Sequence, residues 1–343
     1  MNLSRAALTC SCFLLMANLS SLLKRHGASN MNTFVKHLLI SASLIGFGHS
    51  AQAQTEDDVS LDPPTCISDT MSLEAAEDLA QNGFAIPEGV SVDALALELS
   101  DCIGELDPFL RDEIGYTGLS KLLRDGAVEQ ATLRQLLEYY STELQTSSPD
   151  FWGIKKPFAA LNLSEVVRVD RISPYLSAEE RAAVVETTST YMRSIRDYRG
   201  FSDEDGWRHG VAHAADLALQ LVLNDQITPS QIALLLEAVV SQVPATNGHG
   251  YVYGEYDRLA RPVIYAVLSG KVSDVEWERL FDILSRPDPL ESWQDAFKSE
   301  DALGRLHNTK LFAYSLMATL DGQERPELVS LRERAKMLAS ELP

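Results

Sequence analysis

Basic residues are in short supply: 29 Lys+Arg stand against 49 Asp+Glu in 343 residues, a formal net charge of −20. That balance excludes nucleic acid as a partner, because neutralising phosphates takes a clustered Lys/Arg surface that so acidic a chain supplies only locally. Cysteine is equally sparse, at four residues, which rules out a disulfide-dense scaffold, and 19 Gly with 14 Pro rule out a collagen-like chain. Catalytic signatures are missing as well. There is no Gly-x-Ser-x-Gly elbow for a serine nucleophile and no Gly-rich phosphate loop. Period-2 strand runs bounded by hairpin turns are absent, so a β-sheet protein is not expected. What is present, 45% hydrophobic residues, suits a globular domain.

A leader precedes that domain. From Met31 the chain carries Lys36, an apolar run from Leu38 to Phe47 and the small residues Ala51 and Ala53 before the acidic Glu56-Asp57-Asp58. This is the layout of a signal peptide over 31–53, with cleavage after Ala53 and a periplasmic or secreted product. The apolar run, about 10 residues, is half of what a bilayer span requires. Residues 1–30 read as an upstream extension from a mis-assigned start. Their apolar stretch from Ala6 to Leu23, diluted by Asn18, Ser20 and Ser21, gives the alternative of a membrane-tethered scaffold. Removing Arg5, Lys24, Arg25 and Lys36 takes the balance from −20 to −24 over the remaining 290 residues. No stable membrane insertion is expected after cleavage. Only Cys66 and Cys102 then remain, and in an oxidising compartment they are expected to form one disulfide; two buried thiols are the alternative.

Beyond a polar tail over 54–70, apolar residues recur at helical spacing throughout, predicting one all-α domain over 71–343. Leu95, Leu97, Leu99 and Ile103 mark an early helix, Leu119, Leu122 and Leu123 end the next, and Leu133, Leu136, Leu137, Tyr140 and Leu144 form a third stripe. Ser177 with Glu180 and Ser273 with Glu276 read as capping boxes, and Thr228-Pro229 as an N-cap before a proline that needs no amide donor. About ten to twelve helices are expected, packed as antiparallel hairpins in a curved, HEAT-like stack.

Chemistry is densest between Asp203 and Asp216. If the chain is helical from about Gly206, then His209, His213 and Asp216 lie at i, i+4 and i+7 on one face. Two imidazoles and a carboxylate on one stripe match a divalent-metal site, Zn²⁺ for example, with an open position for water. Gly210 replaces the glutamate that follows the first histidine in zinc-protease helices, so no general base is built in. Packing is the competing reading: Gly210, Ala212, Ala214 and Ala215 allow close helix approach, and a buried histidine bonds to a carbonyl or carboxylate. His249, flanked by glycines, is a candidate further ligand, while Glu255, Asp257 and Arg258 open a later helix and line a cleft or pair locally. His307 reads as a polar residue near a cap. Arg111, after Asp107-Pro108, is placed to bridge to a carboxylate across a helix pair.

Five segments together resemble a known family: Asp107-Pro-Phe-Leu-Arg-Asp-Glu-Ile114, Lys156-Pro-Phe-Ala-Ala-Leu161, Gly206-Trp-Arg-His-Gly-Val-Ala-His-Ala-Ala-Asp216, Glu255-Tyr-Asp-Arg-Leu-Ala260 and Asn308-Thr-Lys-Leu-Phe312. In this order they resemble the bacterial domain-of-unknown-function family 2785, over roughly residues 95–320. The resemblance implies an all-α domain and no settled activity. Its motif positions fall on Arg111, Asp112, Trp207, His209, His213, Asp216, Asp257 and Arg258. The leading expectation is an exported module that binds a small molecule or protein in a polar cleft around Trp207–Asp216 and His249–Arg258, lined by Arg111, Asp112, Trp207, Arg208, Asp257 and Arg258. The rival is a metal-dependent hydrolase using His209, His213 and Asp216, with His249 as a further ligand and Glu255 or Asp257 as base.

Overall fold

Serine and threonine hydroxyls start half of the α-helices. Ser177 and Ser273 each close a reciprocal capping box with the glutamate three residues on, and Thr228 does the same with Gln231 ahead of Pro229. The computed structural model describes residues 66–68 and 71–343. The expected extension, leader and most of the polar tail lie outside them.

Twelve α-helices are described: α1 (Leu73–Gln81), α2 (Val92–Ser100), α3 (Leu119–Asp125), α4 (Gln130–Gln145), α5 (Lys155–Ile172), α6 (Ala178–Ser194), α7 (Gly210–Val222), α8 (Pro229–Ser241), α9 (Glu255–Ser269), α10 (Asp274–Ser285), α11 (Glu300–Thr319) and α12 (Pro326–Glu341). The early helix is shorter than the apolar spacing implied, because Ile103 belongs to a 3₁₀ turn, Asp101–Gly104, after α2. The segment opened by Asp107-Pro108 is a π-helix, Phe109–Gly118, running into α3. The α4 stripe is buried throughout. Cys66 and Cys102 come together as a disulfide pair, Cα atoms 4.8 Å apart, joining the start of the described chain to that 3₁₀ turn.

Two sets of helices alternate along the chain. The even-numbered α4, α6, α8, α10 and α12 pack each on the next, and so do the odd-numbered α3, α5, α7, α9 and α11. The two sets are joined by α4 on α5, α6 on α7, α8 on α9 and α11 on α12. Contacts in the odd set advance in one direction: Pro157 meets His213 and Arg171 meets Gln220, while Glu255 meets His209 and Arg258 meets Asp216. Helices α5, α7 and α9 therefore run parallel, and the loops that precede them gather at one edge. Among the described residues no helix is long and apolar enough to cross a membrane.

One feature departs from the all-helical reading. Phe201–Ser202 and Gly206–Trp207 form a two-residue antiparallel hairpin, β1 and β2, immediately before α7. Gly206 has φ +68, and a Cβ there would press on Pro108 and the Arg111 guanidinium. Glycine is required both for the turn and for that close approach.

Candidate functional site

The hairpin displaces the start of α7. Instead of continuing a helix from Gly206, the backbone at His209 is left-handed (φ 54, ψ 39) and serves as the N-cap, with Gly210 the first helical residue. A non-glycine residue in this region costs on the order of 1 kcal/mol or more, so the surroundings hold it there. Two bonds fix it: Arg208 N–H donates to the Gly200 carbonyl (2.8 Å) and His209 N–H to the Arg199 carbonyl (3.2 Å). The His209 ring is thereby swung toward the start of α9 and lies flat against the indole of Trp207, centroids 4.7 Å apart.

Facing that ring is Glu255, the first residue of α9. Its Oε2 accepts from the Tyr253 backbone N–H (3.0 Å). Its Oε1 lies 3.6 Å from His209 Nε2, beyond direct hydrogen-bond reach. Both atoms are buried, and among the described residues neither has a hydrogen-bond partner. Buried polar atoms left this way cost about 1–3 kcal/mol each. Burial holds the imidazole neutral and pushes its pKa down to about 4, with the positive charge of Arg258 adding to the shift and the Tyr253 backbone opposing it. Burial likewise raises the Glu255 carboxyl above its ordinary range, against the backbone donors at Glu255 and Tyr253.

The expected metal centre is not formed. Among the described residues no group of three or more His, Cys, Asp or Glu side chains is placed to hold an ion. The physical reasons differ by residue. His209 has left the α7 stripe, so its ring meets His213 at 66°, centroids 5.9 Å apart. His213 Nδ1 is engaged with the Pro157 carbonyl (3.2 Å), its ring packs edge-on against Phe158, and burial drives its pKa far below the ordinary value. Asp216 is gripped at both oxygens by Arg258, with Nε to Oδ1 at 3.0 Å, so a guanidinium stands where a cation was expected. His249 stacks on Tyr198 (5.9 Å, 14°). The zinc reading of His209, His213, Asp216 and His249 is withdrawn on this geometry, and the hydrolase built on it is left without support.

Other expected residues divide between struts and surface. Arg111 is fully buried over the Phe158 ring and donates to Asp112 Oδ1 (2.8 Å) and to the carbonyls of Glu105, Leu106 and Asp205. It ties the π-helix to the hairpin turn and bridges to no carboxylate on another helix. Arg208 donates to the Trp152 carbonyl (2.8 Å) and to Asp205 (2.8 Å). Asp257 is exposed and accepts from the Ser315 hydroxyl (2.5 Å). His307 is exposed on α11. The structure thus brings Trp207, His209 and Glu255 together, and leaves Asp216–Arg258, Asp257 and His249 to separate partners.

The residue pattern did not single out the aromatic ledge beside them. Phe201 meets Trp207 edge-on (5.1 Å), so does Tyr253 (5.9 Å), and the Tyr253 hydroxyl donates to the Phe201 carbonyl (3.2 Å). Trp152 and the 73% exposed Phe151 sit on the loop that Arg199 and Arg208 tie to this region. These aromatics come from three separate interhelical loops, and no local spacing signals their meeting.

Comparison with known proteins adds a family and no activity. No curated protein and no solved structure matches the chain at a significant level. A family model described as "Protein of unknown function (DUF2785)" matches residues 145–318, half of the chain, a span that holds Trp207, His209, Glu255 and the ledge. The chain belongs to this DUF2785 family of proteins of unknown function.

Proposed function

We propose that the chain is a ligand-binding module whose site is the notch between His209 and Glu255, beneath Trp207, and whose ligand is a small neutral molecule presenting a hydroxyl. The observation that carries this reading is the pair of buried, unpartnered atoms His209 Nε2 and Glu255 Oε1, 3.6 Å apart. One oxygen about 2.9 Å from both would satisfy them at once, and a hydroxyl can donate to one while accepting from the other. The half-exposed indole is the cover over the imidazole, and entry of the ligand displaces it. Tyr253, Phe201 and Trp152 offer flat faces, negative at the centre, for the polarised C–H groups of a sugar-like ring.

Alternating helix contacts support a curved, HEAT-like stack of helix pairs, which sets the loops before α5, α7 and α9 side by side along one edge. Export with cleavage after Ala53 is part of the same proposal, and the disulfide pair fits an oxidising compartment. Intact mass of exported protein checks it: the expected chain begins at Gln54, and one beginning earlier contradicts the processing.

The binding reading is tested by tryptophan fluorescence during titration with hexoses, N-acetylhexosamines and polyols. A saturable change in wild type that disappears in Trp207→Phe and weakens in Glu255→Gln is expected. No saturable change with any of them, or a change indifferent to both substitutions, would overturn it.

A further inference from the structure

One turn and more along α7 from the notch, the protein departs from its own charge. Of the 13 residues of α7 only Asp216 and Gln220 escape burial. They are flanked on α5 by Glu165, Arg168 and Arg171 and on α9 by Arg258 and Arg261, each pair of arginines at i, i+3 on one helix face. Both carboxylates in this strip are committed. Asp216 is held at two points by Arg258, and Glu165 at two points by Arg124 of α3, at 2.9 and 2.5 Å. Three guanidiniums are left over in a chain of net charge −20.

Their surroundings are frustrated. Arg171 finds only an amide, its Nε donating to Gln220 Oε1 (3.0 Å). Burial and the neighbouring charge of Arg168 both press its pKa below the ordinary arginine value. Among the described residues Arg168 and Arg261 make no hydrogen bond or ion pair, and Arg261 lies close enough to Asp216 to act on it only through its charge. Half-buried cations held beside one another, with the nearby carboxylates Glu165 and Asp216 already bonded to Arg124 and Arg258, raise the free energy of the empty protein, and an anion delivered from solution relieves it.

We propose that this strip along α7, walled by Arg168 and Arg171 on one side and Arg258 and Arg261 on the other, binds a small multivalent anion bearing phosphate or carboxylate groups. Planar guanidiniums on opposing walls suit two-point recognition of such groups. Size follows from helix geometry: two interaxial spacings set the width at about 18 Å, and the six rises from Glu165 to Arg171 set the length at about 9 Å. That is room for a metabolite-sized ion, and the acidic remainder of the chain repels an extended polyanion. The site is separate from the notch under Trp207 and does not depend on the reading given to it.

Calorimetric titration of the mature chain with inorganic pyrophosphate and with citrate, at low ionic strength, tests the proposal. Binding of either ion with a dissociation constant below about 1 mM is expected, weakened at least about tenfold in Arg168→Gln/Arg261→Gln. The preferred ion identifies phosphate or carboxylate as the natural group. Because those two arginines make no hydrogen bond, the double variant should melt no lower than wild type. A second variant, Gln220→Glu, places a carboxylate beside Arg171 and should raise the melting temperature while weakening anion binding. Absence of binding by wild type, or undiminished binding by both variants, would overturn the proposal.

Discussion

Arg111 and Glu255 are both ionisable, both buried, and both packed against the segment that leads into α7, yet the fold treats them in opposite ways. Arg111 spends its guanidinium on Asp112 and on three backbone carbonyls, over the face of Phe158. Glu255 has one oxygen bonded to Tyr253 and the other facing His209 Nε2 at 3.6 Å, beyond hydrogen-bond reach. A buried polar group that is fully bonded locks loops together, which is a structural task. One that is left open raises the energy of the free protein and persists where the surrounding structure over-determines it. The left-handed backbone of His209 adds to that cost at the same point. The contrast separates framework from candidate site more sharply than residue type does.

Substitutions at the two regions should therefore differ in size and in kind. The largest effect belongs to Arg111→Gln, which removes a fully buried guanidinium and leaves Asp112 and three shielded carbonyls without their donor; a loss of about 3–5 kcal/mol in urea unfolding is expected, and a loss under about 1 kcal/mol would erase the contrast. Next comes pH. A histidine whose folded pKa is about 4 binds its proton more weakly folded than unfolded, so its contribution to stability is intact above about 6.5 and declines as pH falls toward 4. His209→Gln should remove roughly 3 kcal/mol of that acid sensitivity, leaving the part due to His213, and an unchanged pH profile between 6.5 and 4 would contradict the burial assigned to His209. Trp207→Ala uncovers the pair to water, so the His209 titration followed by NMR should move up from about 4 toward 6.5; a fixed pKa would mean that the indole is not the cover. Smallest is Phe151→Ser, at a 73% exposed position, which should change stability by no more than about 0.5 kcal/mol.

Features written locally in the chain were legible before the fold was known. The caps at Ser177, Thr228 and Ser273, the buried α4 stripe and the pairing of Cys66 with Cys102 each depend on short-range chemistry or on a two-member choice, and each is present. The hairpin at 201–207 was not legible, because it turns on one positive φ at Gly206 and on packing against Pro108 and Arg111, nearly a hundred residues away. Once His209 became an N-cap, the i, i+4, i+7 stripe lost its first member. The metal expectation failed for a second reason: helical spacing gives the directions of side chains, whereas the claim of Arg258 on Asp216 and of Pro157 on His213 is settled between helices. Residues of the notch were in view individually, and their meeting depended on the loop before α9 folding toward the loop before α7.

If the His209–Glu255 pair is held open at a cost to the free protein, urea unfolding of Glu255→Gln at neutral pH will show it. A glutamine keeps an acceptor for Tyr253, removes a buried carboxyl, and offers an amide donor to His209 Nε2. A variant about 1–2 kcal/mol more stable than wild type, in which the ligand-induced change in tryptophan fluorescence is weakened, is expected. A variant destabilised in the manner of Arg111→Gln would place Glu255 among the struts and contradict it.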